Sequence, residues 1–198
     1  MKKLMITLSV GIFLLLLGHG VMVFAEEEAM DMKENPTMVA DDTATPSPKQ
    51  AVAVITGTQP DSTIKGIVTF TETEDGLQVT AEVYGVPVAG KHGFHIHEKG
   101  SCEDAGNAAG GHYNPHGVSH GFLPKDGMEA AHFGDMGNIE IDSEGSGTLS
   151  LDLAGLTLTG ENNVLGHAVI LHEKEDDFGQ PTGNAGSRIG CGIITVAE

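Results

Sequence analysis

The 198-residue sequence predicts an all-β fold, in which eight short antiparallel strands form a sandwich or a barrel. Eight runs of alternating or continuous apolar residues have the length of strands, and turn signals such as residues 74–76 and 143–145 separate several of them. Glycine is abundant, with 28 residues, as expected for a chain with many turns. Beyond the N-terminus no long heptad pattern predicts a helical bundle.

The predicted strands follow one another from residue 51 to the C-terminal region. They are residues 51–57, 64–71, 77–84, 93–98, 138–142, 147–153, 165–171 and 190–196. Two long segments, 99–137 and 173–189, interrupt this rhythm. Loops of this length in a compact domain usually carry function, and the first is too rich in Gly and His to predict a helix. We therefore expect two long functional loops.

The N-terminal region is typical of an exported protein. Residues 1–25 have the order of a secretory signal peptide, with two lysines, a long apolar run and Ala25 directly before three glutamates. An uncleaved anchor is the alternative, because the apolar run is long enough to cross a bilayer. Residues 26–50 predict an acidic, disordered linker ahead of a domain at 51–198. We expect a secreted or cell-envelope protein, with no stable membrane partner after cleavage.

The chain contains two cysteines, Cys102 and Cys191. In an exported protein such a pair usually forms one disulfide, which is the bond that we expect here. Two free buried thiols are the weaker alternative outside the cell.

The charge balance excludes one class of partner and directs attention to histidine. Asp and Glu number 28 against 10 Lys and Arg, which gives a formal net charge of −18. We expect no nucleic-acid partner, since such proteins neutralise phosphates with clustered Lys and Arg. Histidine, also with 10 residues, is unusually frequent and makes a metal site the first function to consider.

The histidines lie at predicted strand ends and in the first long loop. His95 and His97 are separated by one residue, so on a strand both side chains project from the same face. Further candidates are His112, His116, His120, His132, Asp135 and His172. Several neutral imidazoles suit copper or zinc, and one carboxylate among three histidines suits tetrahedral zinc. Spacing alone does not assign each histidine to a metal.

Five motifs occur in order within residues 51–196. They are GFHIHE (93–98), GHYNP (111–115), HFGDMGN (132–138), HEKEDD (172–177) and GNAGSRIGCG (183–192). In these motifs the sequence resembles the copper,zinc superoxide dismutase family, in its bacterial, secreted type. The resemblance implies an eight-stranded Greek-key barrel. It also implies dismutation of superoxide to dioxygen and hydrogen peroxide by a Cu(II)/Cu(I) cycle, with a bridging histidine supported by zinc.

The resemblance further implies the residues of the site. The copper ligands would be four histidines, namely His95, His97, His112 and His172. The zinc ligands would be His112, His120, His132 and Asp135, so that His112 bridges both metals. Asp176 would hydrogen-bond one copper and one zinc histidine. Arg188 would act in catalysis beside the copper together with His112, and Cys102 and Cys191 would form the family's disulfide.

Two departures from the family pattern affect these expectations. An extra stretch around residues 122–131 separates His120 from His132, which leaves His116 as a competitor of His120 for zinc. The second long loop is short, with only four residues between Asp177 and Thr182, and it lacks the charged residues with which many family members guide the substrate. Arg188 would then be the main cation near the copper, with help from Lys125 or Lys174.

Two alternatives to a dismutase remain at this point. One is a non-catalytic extracellular relative that binds zinc or copper. The other is a cell-surface interaction module whose acidic face binds a cationic partner. For the enzyme the partner is the small-molecule substrate superoxide, and the family includes both homodimers and monomers.

Overall fold

Eight antiparallel strands close into a barrel in the computed structural model, which describes residues 49–197. The strands are β1 Gln50–Gly57, β2 Lys65–Glu72, β3 Gly76–Tyr84, β4 Gly90–His97, β5 Asp135–Ile141, β6 Gly147–Ala154, β7 Ala168–His172 and β8 Arg188–Val196. Their order around the barrel is β1-β2-β3-β6-β5-β4-β7-β8. Because β3 pairs with β6 and β4 with β7, two connections cross over as in a Greek key. The predicted fold class is confirmed.

The predicted strands all form, and their ends shift for local reasons. β7 begins at Ala168 rather than at 165, because Gly166 has a φ of 79° and breaks the extended run before it. β5 begins at Asp135 rather than at 138, because Asp135 pairs with His95 across the sheet. The signal peptide and nearly all of the linker predicted from the sequence lie outside the described residues.

The barrel interior follows the period-2 pattern of its strands. In β3, for example, Leu77, Val79, Ala81 and Val83 are buried and alternate with exposed residues. β4 differs, because every residue from 92 to 97 is buried. Phe94 and Ile96 belong to the hydrophobic core, whereas His95 and His97 project from the opposite face and are covered by the long loops. The imidazoles of β4 therefore lie between the barrel wall and the loops.

Two long loops cover this face of the barrel, as expected. The first connects β4 to β5 and contains a 3-10 turn at Asn107–Ala109 and one helical turn, α1, at Leu123–Asp126. α1 lies in the extra stretch noted in the sequence, and it is anchored because Leu123 and Ala131 are buried in the hydrophobic core. Within residues 49–197 no helix is long and apolar enough to cross a membrane.

The predicted disulfide joins Cys102 in the first loop to Cys191 in β8. Their Cα atoms are 5.7 Å apart, within the range of an ordinary disulfide. The two cysteines are 89 residues apart in the sequence, so the bond ties the first loop to the last strand of the barrel.

We expect the double variant Cys102→Ser/Cys191→Ser to be clearly less stable. In the chain-entropy model, opening a loop of this length costs about 4–5 kcal/mol of the free energy of unfolding. Guanidinium denaturation of the metal-free proteins measures the difference. Reduced wild type serves as the control and should unfold at the same midpoint as the variant. A loss below about 1 kcal/mol would contradict a stabilising role for the bond.

Candidate metal centre

Four histidines meet where β4, β7 and the first loop come together. His95 and His97 come from β4 and His172 from the end of β7, which is the neighbour of β4 in the barrel. His112 reaches them from the first loop through an isolated β-bridge with His97. All four are buried, and one ring nitrogen from each lies within 4.8 Å of the others. We call these residues the all-histidine group.

The hydrogen bonds of these rings leave nitrogens free toward the centre of the group. His97 Nδ1 donates to the Gly110 carbonyl at 3.0 Å, and His172 Nδ1 donates to the Gly186 carbonyl at 3.3 Å. With their protons on Nδ1, both rings turn an unprotonated Nε2 inward, and these two atoms are 3.3 Å apart. Two lone pairs that face each other at this distance favour a bound cation between them.

A second group shares His112 with the first and adds His120, His132 and Asp135. We call it the mixed group. Asp135 Oδ1 lies 2.8 Å from His112 Nδ1 and 3.1 Å from His132 Nδ1. Asp135 Oδ2 lies 2.9 Å from His120 Nδ1. Ligands about 2.0–2.1 Å from a tetrahedral zinc ion are about 3.3 Å from one another, so the group has nearly the required dimensions.

Two buried nitrogens indicate that these residues fit metal ions. His95 Nδ1 and His120 Nδ1 have no hydrogen-bond partner. His120 Nδ1 is near Asp135, but not at an angle that makes a hydrogen bond. A buried polar atom without a partner costs free energy, and a metal ion in each group would remove that cost. The donors fit copper in the all-histidine group and zinc in the mixed group.

Asp176 connects the all-histidine group to the mixed group through hydrogen bonds. This carboxylate is fully buried and accepts hydrogen bonds from His95 Nε2 at 2.8 Å and from His120 Nε2 at 2.9 Å. Both bonds keep the Nε2 protons in place, so each ring would bind a metal through Nδ1, His120 after losing its Nδ1 proton. The side chain of Asn138 bonds both the N–H and the carbonyl of Asp176. The carboxylate is therefore fixed by β5 as well as by its own loop.

Burial keeps three of these imidazoles, His97, His112 and His172, neutral. It lowers the pKa of His112 to about 4, although the hydrogen bond with Asp135 opposes the shift. It lowers the pKa of His172 to about 3, helped by the neighbouring His95. The pKa of His97 is also lowered well below its usual value, again mainly by burial. At neutral pH these rings can bind a metal without first losing a proton.

The pKa of His120 shifts in the opposite direction. Burial lowers its pKa, but the carboxylates of Asp135 and Asp176 outweigh burial and raise it to about 9. The pKa of each carboxyl group is in turn held well below its usual range, because hydrogen bonds from the histidines outweigh the effect of burial. In the absence of metal, His120 and its two carboxylates therefore form a charged network.

Arg188 lines a cavity of about 350 Å³ that opens onto the all-histidine group. Its guanidinium donates to the carbonyls of Gly106 and Gly110 in the first loop, at 2.6 and 2.5 Å. The Gly110 carbonyl also accepts the bond from His97, so one peptide group links the arginine to a ring of the all-histidine group. The remaining lining includes His97, His112, His172 and Thr182.

The structure brings together all the site residues expected from the sequence, and it separates the competitors. His116 lies against the ring of Phe133, with centroids 4.7 Å apart, and is not part of the mixed group. Lys125 and Lys174 do not line the cavity at Arg188. The sequence did not indicate the two carbonyls of Gly110 and Gly186, because a main-chain acceptor has no residue-type signature.

A closed antiparallel barrel with two histidine-rich groups that share one imidazole defines a class of β-barrel metalloproteins. The family model of copper/zinc superoxide dismutase matches residues 64–194 of this sequence. The chain belongs to the copper/zinc superoxide dismutase family, which is named for the two metals that the groups fit.

Curated relatives agree with this assignment. The extracellular Cu-Zn superoxide dismutase of Caenorhabditis elegans is 43% identical over 67% of the chain and 62% of its own length, and that of Drosophila melanogaster is 42% identical over 75% and 86%. The Cu-Zn superoxide dismutase of Onchocerca volvulus is 36% identical over 74% and 95%. The chain thus matches less than two thirds of the first relative. All three are animal proteins and lend no support to the bacterial type expected from the sequence.

A solved structure shows the same fold. The crystal structure of the clock protein EA4 superposes with a TM-score of 0.68 at 37% sequence identity. The similarity covers 76% of this chain and 96% of that one.

Zinc uptake by the metal-free protein should release about one proton at pH 7. His120 has a pKa of about 9 and is protonated there, and it must lose a proton to bind zinc, whereas His112 with a pKa of about 4 has none to lose. The affinity for zinc should therefore rise with pH up to about 9 and then level off. Isothermal titration calorimetry in two buffers of different ionisation enthalpy measures the proton, and equal heats in both would contradict this expectation.

Proposed function

We propose that this protein dismutes superoxide, with copper in the all-histidine group and zinc in the mixed group. The observation that carries the proposal is the position of His112, which belongs to both groups. Its Nδ1 faces Asp135 in the mixed group, and its ring lies 4.1 Å, centroid to centroid, from that of His95 in the all-histidine group. One imidazole that serves two metals is the feature that a dismutase of this family requires and that an ordinary zinc site does not.

The reaction converts two superoxide ions and two protons into dioxygen and hydrogen peroxide. Copper, when bound, supplies the one-electron chemistry by alternating between Cu(II) and Cu(I). The protein's own residues admit the anion, orient it and transfer protons. The cavity beside His97, His172 and Arg188 gives a small anion access to the all-histidine group.

Arg188 attracts and orients the substrate. Its guanidinium stays charged at any working pH and can present two N–H groups to a diatomic anion. The carbonyls of Gly106 and Gly110 hold it in place, so little entropy is lost when the anion arrives. The net charge of −18 opposes the approach of an anion, but distant carboxylates are screened beyond a Debye length of about 8 Å. The field at the cavity therefore depends mainly on nearby groups.

His112 accepts a proton and passes it on. Its Nδ1 is held beside Asp135, so Nε2 is the nitrogen left to serve the all-histidine group, to take up a proton and to give it to the product. The second proton comes from water.

Removal of copper tests the proposal. The protein purified with both metals should show a visible copper band and remove superoxide, and a copper chelator should abolish both. Activity that survives without copper would refute the mechanism. A protein that holds both metals and removes no superoxide would instead be the non-catalytic relative.

Replacement of Arg188 by Glu should slow turnover and leave both metals bound. Charge focused in a cleft raises the association rate of an anion by about 10- to 1,000-fold, so we expect kcat/KM to fall at least tenfold at low salt. Lys49→Glu, the same charge change at an exposed residue just before β1, is the matched control and should keep the wild-type rate. Wild-type kcat/KM at low salt in the Arg188 variant would exclude this role.

We also propose that the protein is exported and that cleavage follows Ala25. The disulfide between Cys102 and Cys191 suits an oxidising compartment, and two of the relatives are named extracellular. The intact mass of the exported protein should equal that of residues 26–198 with the disulfide formed, and a mass that retains residues 1–25 would indicate an anchor.

We further propose a homodimer as the working form. Ile67, Val54 and Ile193 lie opposite one another on β2, β1 and β8, and they are 44%, 62% and 39% exposed. A row of apolar side chains on the outside of the barrel suits a self-complementary contact. Light scattering after gel filtration should give about twice the mass of one chain, and a monomer at micromolar concentration would overturn this proposal.

A further inference from the structure

Both backbone groups of His120 are hydrogen-bonded by one side chain, that of Gln180. The Gln180 Oε1 accepts from the His120 N–H at 3.1 Å, and the Gln180 Nε2 donates to the His120 carbonyl at 2.8 Å. The side-chain amide thus binds the backbone of His120 at two points, as a neighbouring strand would. Gln180 belongs to the second loop, 60 residues away in the sequence.

This support matters because His120 lies in irregular structure. His95 and His97 are held by the hydrogen bonds of β4, and His172 by those of β7. His120 has no strand or helix around it, since residues 117–122 have no regular secondary structure. A metal ligand on such a segment needs other contacts to keep its ring within about 0.5 Å of a productive position.

The ring of Phe178, two residues before Gln180, lies beside the imidazole of the same histidine. The rings of Phe178 and His120 are nearly parallel, at 20°, with centroids 6.3 Å apart. The Phe178 N–H donates to Asp176 Oδ1 at 2.8 Å, and Asp176 accepts the Nε2–H of His120. Phe178 has a φ of 58°, a conformation that an aromatic residue adopts only when its surroundings impose it.

The two loop segments that the resemblance singles out as departures from the family pattern meet at this point. Phe122, from the extra stretch of the first loop, contacts Phe178, from the shortened second loop, with ring centroids 6.1 Å apart. Phe122 also packs over Gly137, where a Cβ atom would come within 2.9 Å of the ring. These two loop segments therefore form one packed contact beside His120.

We propose that Gln180 and Phe178 are positioning residues for His120, and that the short second loop serves to fix the mixed group. This inference rests on the proposed function, since it assumes that the mixed group holds zinc. The residues act through His120 rather than on the metal or the substrate. Loss of Gln180 should therefore loosen one zinc ligand and leave the all-histidine group less affected.

The test is the rate of zinc release from the holoprotein. Gln180→Ala removes both hydrogen bonds, and Gln180→Met removes them while it keeps the length of the side chain. Outer partners of metal ligands are typically worth about 10- to 100-fold in affinity, so we expect release into a chromogenic chelator to be about tenfold faster in both variants. Gln78→Ala, an exposed glutamine of β3, is the matched control and should match wild type.

Cobalt substituted for zinc provides a spectroscopic readout that stability alone does not change. The visible bands of Co(II) in the mixed group should shift or broaden in both Gln180 variants and in Phe178→Leu. The rate of copper release should rise by a smaller factor than the rate of zinc release. An increase of less than threefold in zinc release, or an equal increase for both metals, would overturn the positioning role.

Failure of this inference can be distinguished from failure of the proposed function. If wild type binds no zinc that depends on His132, as tested with His132→Ala, the assignment of zinc to the mixed group is wrong. If zinc binds there and both Gln180 variants release it like wild type, only the role of Gln180 is wrong.

Discussion

The buried carboxylate of Asp176 is the interaction on which the rest of the centre depends. A buried carboxylate costs several kcal/mol unless it is paired and hydrogen-bonded. Here His95, His120 and the N–H of Phe178 supply those bonds, so the cost of burial is offset only when both groups are correctly formed. The all-histidine group and the mixed group are coupled through this side chain, as well as through the shared His112, before any metal is considered.

The first loop contributes a second constraint, which concerns the cavity. The Gly110 carbonyl accepts hydrogen bonds from His97 and from Arg188, and the disulfide ties Cys102, nearby in the same loop, to β8. The loop is thus bound to the strand that carries Arg188 by a covalent bond and by polar contacts. Without these contacts the guanidinium of Arg188 would not be held at a fixed place beside the all-histidine group. Preorganised charge is what accelerates capture and reaction of an anion.

Local pattern was sufficient for some elements and insufficient for others. Alternating or continuous apolar runs located all eight strands, and the His-x-His spacing placed His95 and His97 on one face, because such local patterns need no distant partner. The choice between His116 and His120 could not be made in this way. Both lie in the same irregular loop, and what separates them is the neighbour that each meets, Phe133 for His116 and Asp135 with Gln180 for His120.

The sequence by itself determined the all-β class, the pair of cysteines, the unusual supply of histidines and, through its motifs, the family. These follow from composition, periodicity and order, which are properties of the chain read along its length. Only the tertiary structure decided which nitrogen of each ring is free, that one glycine carbonyl serves both His97 and Arg188, and that Phe122 and Phe178 from different loops meet beside His120. The physical reason is that hydrogen-bond partners and packing contacts between different segments of the chain are set by the closure of the barrel and by the way its loops fold over β4.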